Sequence, residues 1–345
     1  MKKKNCNVTI CHTGQHYDKE MSDIFLEQLQ IPSPKYNLHS GAGSHAQQTA
    51  RIITRSENAL IRDNPDLVIV EGDTTTAFAS SLAAAKLKVP IAHIEAGCRS
   101  FDKTLPEEIN RVVISHVANL HFPPTPNCAR NLLREGVDKK VINLAGHPIV
   151  DAIDLVRKKL KEITLLGKTK INPHEYYFVT LHRDFNVDDP SRLEYILREL
   201  DKVSNVRTVV FAIHPRTRKR IHEFGLTRFL GNIIKLKPVD YITSLSLIRH
   251  AYAIISDSGG LTKESCILGV PSVTLRPNTE WIETIGGYSN QLAFSKGNTL
   301  MTCVNRLERN YELAKKNLKL SQDIFGAVGV SSKIADQIMT SILSN

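Results

Sequence analysis

The chain has 345 residues, of which 41% are hydrophobic and 23% charged, and its formal net charge at pH 7 is +10. This length suffices for two domains with separate cores, and no apolar run is long enough to span a membrane or to form a signal-peptide core after Met1-Lys-Lys-Lys4. The basic residues are dispersed among 35 acidic ones, and the six cysteines include no Cys-x-x-Cys pair. We therefore expect a cytoplasmic protein without membrane association, nucleic-acid binding, a zinc site or a disulfide framework.

The first half of the chain alternates apolar runs with amphipathic segments. The apolar runs predict strands at residues 8–10, 67–70, 90–94, 120–122 and 141–144. Helical patterns lie at residues 19–29, 44–61, 74–86 and 129–135, and a further helix has Glu107 and Glu108 in its first turn. Solid apolar strands that are each followed by a helix predict an α/β fold with a parallel sheet covered on both faces.

The second half repeats this alternation after a turn at residues 146–148, where we expect the chain to change domain and a helix to run from about 150 to 162. Strands are predicted at residues 176–181, 207–213, 233–236, 253–256 and 271–275. Helices are predicted at residues 190–202, 242–249, 299–318 and 331–343. Two parallel-sheet domains of similar size are therefore expected.

Residues 254–264 predict a strand, a tight turn and a helix N-terminus. Gly259 and Gly260 can take backbone angles closed to other residues and let the main chain approach a ligand, and the first free N–H groups of the helix favour a phosphate. Ser258 either caps the helix or donates its hydroxyl to that phosphate. Glu264, about one turn into the helix, suits ribose hydroxyls. An ordinary strand-to-helix turn is the alternative interpretation.

Ionisable residues follow several of the predicted strands. Asp73, Glu95, His182, His214 and Asp257 each come at or just after a strand end. Ligands of open α/β sheets bind beyond the carboxyl ends of the strands, so these side chains are candidates for a ligand site. Taken singly, Asp73 is also explained as a helix N-cap, Glu95 as a solvated loop acid and His182 as a satisfied core histidine.

Seven motifs follow one another in a characteristic order. They are Val70-Glu-Gly-Asp-Thr-Thr-Thr76, His93-Ile-Glu-Ala-Gly-Cys-Arg-Ser100, Pro106-Glu-Glu-Ile-Asn-Arg111, Thr180-Leu-His-Arg183, Ile213-His-Pro-Arg-Thr217, Ser256-Asp-Ser-Gly-Gly260 and Arg276-Pro-Asn-Thr-Glu280. From about Thr9 to the C-terminus, the chain resembles the non-hydrolysing UDP-N-acetylglucosamine 2-epimerases. The resemblance implies a glycosyltransferase-B-like fold with two Rossmann-like domains, 1–147 and 148–327, a ligand in the interdomain cleft, and a C-terminal helix at about 328–345 on the first domain.

The resemblance also implies a reaction and its requirements. Family members interconvert UDP-GlcNAc and UDP-ManNAc by eliminating UDP, forming a glycal and adding UDP back, with no cofactor and no metal. We accordingly expect a UDP-sugar as ligand, which suits the basic net charge, a role in surface-polysaccharide synthesis, and a homodimer.

Residue roles follow from the motif positions. By resemblance, Asp73, Glu95 and Glu107 are the active-site acids, although Glu108 beside Glu107 is the other candidate, and His182 stabilises or protonates the leaving diphosphate. The resemblance and the helix N-terminus together indicate substrate-binding residues, which are Arg183, His214, Arg216, Ser258, Gly259, Gly260, Glu264 and Arg276. Gln15 and His16 lie in a segment that lines a regulatory pocket in bacterial relatives.

Three departures from the family pattern leave alternatives open. Relatives begin with a strand and Gly-Thr-Arg-Pro-Glu, a unit expected before Met1, so an N-terminally truncated, non-catalytic nucleotide-sugar-binding protein is one alternative. The acid usual after His-Arg is replaced in Asp184-Phe-Asn186, and Gly146-His-Pro148 replaces Gly-Asn-Thr. The Arg-Pro-Asn-Thr-Glu-Trp form also occurs in relatives that act on modified sugars. An epimerase of a modified UDP-sugar and a hydrolysing 2-epimerase are therefore further alternatives.

Overall fold

A computed structural model describes residues 6–14, 24, 26–41, 43–160, 171–287 and 289–343. The chain divides into two compact units, Met1–Asp154 with Ile324–Asn345, and Leu155–Asp323. Within the described ranges, no helix is both long enough and apolar enough to cross a bilayer.

The described strands and helices alternate along most of the chain, as the sequence predicts. The strands are β1 (Cys11–His12), β2 (Tyr36–Asn37), β3 (Val68–Glu71), β4 (Ile91–Ile94), β5 (Leu120–Phe122), β6 (Tyr176–Thr180), β7 (Thr208–Ala212), β8 (Ile234–Leu236), β9 (Ala253–Ser256), β10 (Ser272–Thr274) and β11 (Asn290–Leu292). The α-helices are α1 (His45–Asp63), α2 (Thr75–Lys86), α3 (Pro106–Val117), α4 (Pro126–Arg134), α5 (Ile149–Arg157), α6 (Asp184–Val187), α7 (Pro190–Ser204), α8 (Pro215–Glu223), α9 (Tyr241–Arg249), α10 (Gly259–Ile267), α11 (Leu300–Arg309), α12 (Tyr311–Ser321) and α13 (Val330–Leu343). Short 3-10 turns lie at Lys139–Val141, Thr227–Leu230, Ile282–Thr284 and Gln322–Phe325.

The first unit contains two parallel sheets in its described part, β1-β2 and β3-β4-β5. Local sequence sets the helix boundaries there: α1 begins with a capping box between Ser44 and Gln47 and ends at Asn64, whose φ of 44° is left-handed. The C-terminal helix α13 belongs to this unit, because Val330, Ile334 and Ile338 are buried in the core that β4 and β5 form.

The second unit is built on one six-stranded parallel sheet with the order β11-β10-β9-β6-β7-β8. Every residue of β9 and nearly every residue of β6 and β7 is buried, as expected for a sheet with helices on both faces. The chain runs outward from β6 through β7 to β8 and then crosses to β9 on the other side of β6. The junction of β6 and β9 is therefore a topological switch point, where ligands of doubly wound sheets bind.

Several predicted boundaries are wrong. The strand expected at 8–10 lies at Cys11–His12, because Ile10 offers only its carbonyl to Lys35 and Tyr36 before the ladder begins. Residues 141–144 form no strand, and only Ile142 makes a single bridge to His121. The helix predicted at 299–318 is two helices, because the backbone leaves the helical conformation at Asn310, with φ −123° and ψ 27°. Much of the helix predicted at 19–29 lies outside the described residues. Among the described elements, β2, α6, α8 and β11 were not predicted.

Candidate active site

Two of the predicted acids lie at the same edge of a sheet in the first unit. β3 and β4 are parallel neighbours in which Glu71 pairs with Ile94, so Asp73 and Glu95 both follow the carboxyl ends of adjacent strands. The N-cap interpretation of Asp73 is wrong: the cap of α2 is Thr74, whose hydroxyl accepts the Ala77 N–H. The carboxylate of Asp73 instead forms an ion pair with the buried guanidinium of Arg111.

The structure distinguishes the two neighbouring glutamates at the start of α3. Glu108 is 2% exposed, and its carboxylate accepts the N–H groups of Ser100 and Phe101, the Ser100 hydroxyl and Arg111 Nη1, all at 2.9–3.0 Å. Burial alone would raise the pKa of Glu108, but the bonds from Ser100 and Arg111 outweigh it, and the net shift is downward. Glu108 therefore holds the loop after β4, and Glu107, which is half-buried, is the acid of the pair that we retain as a catalytic candidate.

A histidine that the sequence analysis did not select as a site residue contacts Glu95. His147 Nε2 lies 2.6 Å from Glu95 Oε2, and both side chains are largely buried, with 4% and 13% exposure. Glu71, at the end of β3, completes a group whose carboxylate and imidazole atoms lie within 4.8 Å of one another. These three residues are far apart in the sequence, so no ligand spacing could have indicated the cluster.

In the second unit, His182 and Asp257 lie at the switch point between β6 and β9. Asp257 is fully buried, and it accepts the N–H groups of His182 and Arg183 at 2.9–3.2 Å and Asn186 Nδ2 at 3.2 Å. His182 Nδ1 is 3.3 Å from Asp257 Oδ1. Burial lowers the pKa of His182, Arg183 and Arg216 lower it further, and Asp257 opposes them.

The His-Pro-Arg motif after β7 adjoins His182. The rings of His182 and His214 have centroids 5.7 Å apart. His214 is the N-cap of α8, and its Nδ1 accepts the Arg216 N–H at 3.2 Å. The Arg216 side chain forms an ion pair with Asp188, and Arg220 shares the same carboxylate. His182, Arg183, His214 and Arg216 are thus gathered at one edge of the second sheet.

The strand, turn and helix N-terminus predicted at residues 254–264 are present, but the two glycines do not have the backbone angles that were expected. Ser258 caps α10 by accepting the Leu261 N–H at 3.3 Å. Neither Gly259 nor Gly260 has a positive φ, so the prediction of special backbone angles is wrong. Close packing explains Gly259 instead, because a Cβ there would lie 2.5 Å from Glu280 Oε1.

Two further predicted binding residues are buried in the same unit. Glu264 lies in α10, and burial raises its pKa to about 7, although Lys263 and a hydrogen bond with Tyr241 favour its charged form. Arg276 is 3% exposed and forms an ion pair with Glu280, with Nη2 and Oε2 2.8 Å apart. Gln15 and His16 lie outside the described residues.

Comparisons with known proteins show the family of the chain. A family model described as UDP-N-acetylglucosamine 2-epimerase matches residues 1–339. A UDP-N-acetylglucosamine 2-epimerase of Methanococcus maripaludis is 43% identical over 307 residues, which cover 86% of this chain and 84% of that protein. The UDP-2,3-diacetamido-2,3-dideoxy-D-glucuronate 2-epimerase of Pseudomonas aeruginosa is 37% identical over 337 residues, with coverage of 95% and 90%.

A solved structure extends the comparison to the fold. The crystal structure of Methanocaldococcus jannaschii UDP-GlcNAc 2-epimerase in complex with UDP-GlcNAc and UDP matches with a TM-score of 0.84 and 38% identity, covering 99% of this chain and 93% of that one. The predicted glycosyltransferase-B-like α/β class is confirmed by the parallel sheets and by this match. The chain belongs to the UDP-N-acetylglucosamine 2-epimerase family.

Proposed function

We propose that the chain interconverts UDP-GlcNAc and UDP-ManNAc by elimination and re-addition of UDP. The observation that carries this proposal is the family match over residues 1–339, joined by acids at the ends of β3 and β4. C2 of the sugar is not adjacent to a carbonyl, so its proton is acidic only when the ring gains positive character. Departure of UDP from C1 supplies that character.

The two faces of the sugar ring require two proton-transfer positions. One carboxylate removes the C2 proton while the C1–O bond to UDP breaks, which leaves a C1–C2 double bond. An acid then protonates C2 from the opposite face, and the diphosphate oxygen adds back to C1. We assign this work to Asp73, Glu95 and Glu107, and the Arg111 ion pair favours the charged form of Asp73.

The leaving diphosphate requires positive charge and donors where its own charge develops. We assign this role to His182, oriented by Asp257, together with Arg183, His214 and Arg216. The N-terminus of α10 at Ser258, Gly259 and Gly260 offers main-chain N–H groups to a phosphate. Glu264 is assigned to the ribose hydroxyls and Arg276 to a further polar contact of the nucleotide sugar.

Proton NMR of UDP-GlcNAc incubated with the purified protein in heavy water tests the reaction. The expected result is loss of the C2 proton signal, deuterium at C2 and new anomeric signals of UDP-ManNAc. Release of free N-acetylmannosamine would instead indicate the hydrolysing reaction. Folded protein that binds UDP but leaves the spectrum unchanged would contradict the proposal and favour a non-catalytic nucleotide-sugar-binding protein.

A second candidate substrate has a specific observation in its favour. The Pseudomonas aeruginosa relative, 37% identical, is named for a diacetamido uronic acid nucleotide. The same elimination chemistry would act at C2 of such a sugar. Parallel incubations with UDP-GlcNAc and the diacetamido nucleotide, compared by kcat/KM, decide between them, and a higher value for the diacetamido nucleotide would replace the proposed substrate.

We also propose that the protein is a cytoplasmic homodimer that supplies surface-polysaccharide precursors. Family resemblance supports this assembly and role. Light scattering at several protein concentrations tests the dimer, for which the expected mass is twice the 38.6 kDa of the chain. A constant mass equal to one chain would contradict it.

A further inference from the structure

We propose that His147 is a positioning residue that donates its Nε2 proton to Glu95 and holds that carboxylate charged and oriented. The inference rests on the catalytic role proposed above for Glu95. It starts from the 2.6 Å separation of His147 Nε2 and Glu95 Oε2, which is shorter than a typical N–H···O bond.

The direction of this hydrogen bond follows from the other ring nitrogen. His147 Nδ1 lies 3.1 Å from the main-chain nitrogen of Ile149. A main-chain N–H can only donate, so Nδ1 is the acceptor of this hydrogen bond. A neutral imidazole carries one proton, and that proton is therefore on Nε2. Nε2 faces Glu95, so the ring donates and the carboxylate accepts.

The surroundings of His147 fix the ring in this orientation. The His147 N–H donates to the Phe325 carbonyl at 2.8 Å, and the two rings meet edge to face with centroids 6.4 Å apart. Gly146 has a φ of 100°, and a Cβ there would lie 2.6 Å from the Phe325 carbonyl oxygen. The C-terminal segment that returns to the first unit therefore supports His147, which in turn supports Glu95.

The backbone of Glu95, the acceptor of this hydrogen bond, is constrained as well. Glu95 has a φ of 65°, a left-handed conformation that is uncommon for residues other than glycine and is held by the surrounding structure. A hydrogen bond donated to a carboxylate favours its charged form, whereas the nearby carboxylate of Glu71 opposes it. The bond from His147 thus keeps Glu95 ready to accept a proton from the sugar.

The side chains of Glu71, Glu95 and His147 also offer the kinds of ligand atom that a divalent cation binds. A metal on Nε2 requires the lone pair of that nitrogen, which moves the ring proton to Nδ1. Nδ1 would then direct a proton at the Ile149 N–H, and the helix-capping bond would be lost. The geometry therefore favours proton donation to Glu95 over metal ligation.

Two other ionisable groups near Glu95, His93 and Cys98, do not change charge near neutral pH. Burial lowers the pKa of His93 on β4 to about 4, and burial raises the pKa of the Cys98 thiol well above its usual range. Both are uncharged at neutral pH. Loss of the His147 bond would therefore disfavour ionised Glu95 and move the acidic limb of the rate profile to higher pH.

Two substitutions at His147 distinguish its hydrogen bond with Glu95 from its hydrogen bond with the Ile149 N–H. In His147→Gln the side-chain amide can place an N–H near the position of Nε2, whereas His147→Ser keeps a capping oxygen for Ile149 but is too short to reach Glu95. We expect His147→Gln to stay within about threefold of the wild-type kcat. We expect His147→Ser to lose about tenfold to a hundredfold in kcat with little change in KM, because the proposal assigns His147 a contact with Glu95 rather than with the substrate.

The pH profiles and a spectroscopic measurement complete the test. The acidic limb should move to higher pH in His147→Ser and remain near the wild-type position in His147→Gln, both measured on variants with cooperative thermal unfolding. Full activity in His147→Ser with loss in His147→Gln would show that only the helix cap matters and would overturn the proposal.

Nitrogen-15 NMR of histidine-labelled wild-type protein reads the tautomer without any turnover. The signal that disappears in His147→Gln should be that of an Nε2–H imidazole. An Nδ1–H tautomer, or a kcat that falls with EDTA and returns with Zn²⁺, would overturn the proposal in favour of a metal ligand. If wild-type protein does not turn over UDP-sugars at all, the proposed function fails, while the tautomer result still decides the His147–Glu95 contact.

Discussion

Asp257 Oδ1 lies 3.3 Å from His182 Nδ1, and the same buried carboxylate accepts the His182 main-chain N–H. This acid holds the backbone of His182 by hydrogen bonds and lies beside its ring, at the point where the second sheet reverses its strand order. The hydrogen bonds that hold this position come from the main-chain N–H groups of His182 and Arg183. We therefore expect Asp257 to act on the proposed reaction through the position of His182.

Asp257→Asn should reduce kcat by about a hundredfold, because a neutral amide accepts less well than the buried carboxylate from the His182 N–H, the Arg183 N–H and Asn186 Nδ2. Steady-state kinetics of folded variant and wild type measure the change. Asp189→Asn is a matched control in the same unit, since Asp189 caps α7 and asparagine caps equally well. Equal losses in both variants would argue against a specific role for Asp257.

Glu108→Gln should lower the free energy of unfolding by about 2 kcal/mol at pH 7, because the buried carboxylate accepts bonds from Ser100, Phe101 and Arg111. The pKa of Glu108 is lowered from its usual value of 4.5, so its stabilising contribution is present above that value and is lost as the pH falls through the folded-state pKa. Urea unfolding between pH 3 and 7 should show the two proteins converging in acid. A difference that is constant with pH would refute this origin of the stability.

Glu264→Gln should behave in the opposite way. Burial raises the pKa of Glu264 from 4.5 to about 7, so the unfolded chain ionises before the folded protein does. Wild-type stability should therefore fall, relative to the variant, as the pH rises from about 4.5 to 7. The variant should be more stable at pH 8 by up to about 3 kcal/mol and equally stable at pH 4. Thermal or urea unfolding at the two pH values checks the sign, and a less stable variant at pH 8 would show that the ionised form is favoured.

Gly97→Ala should destabilise the protein by about 3 kcal/mol or more, because an added Cβ would overlap the Cys128 carbonyl and the φ of 79° is left-handed. Gly97 follows Glu95 by two residues, so we also expect turnover to fall. Gly231→Ala is the control: Gly231 has a φ of −57°, and a Cβ there meets nothing within 4 Å. The control should be unchanged or slightly more stable, by about 0.5 kcal/mol. Comparable unfolding midpoints for the two variants would show that the overlap is relieved at little cost.

The sequence by itself determined the alternation of strands and helices, the family, and the positions of Asp73, Glu95, His182 and Asp257 at strand ends. The strands and the residues that follow them are local features. An apolar run predicts a buried strand, and the residue at its end is then known from the sequence. Motif order added the family and thereby the glycosyltransferase-B-like form of the α/β fold. The strand predicted at residues 8–10 was wrong because the position of a two-residue strand depends on its partner strand rather than on its own composition.

Only the tertiary structure decided which acid of the Glu107–Glu108 pair is structural, because both share the same helix turn and the hydrogen-bond donors come from the loop at Ser100. It also replaced a conformational reason for Gly259 with a packing reason that involves Glu280. The contact between His147 and Glu95 joins residues 52 positions apart. Distant pairs of this kind form where separate loops meet at a sheet edge, and neither residue's local sequence specifies its partner.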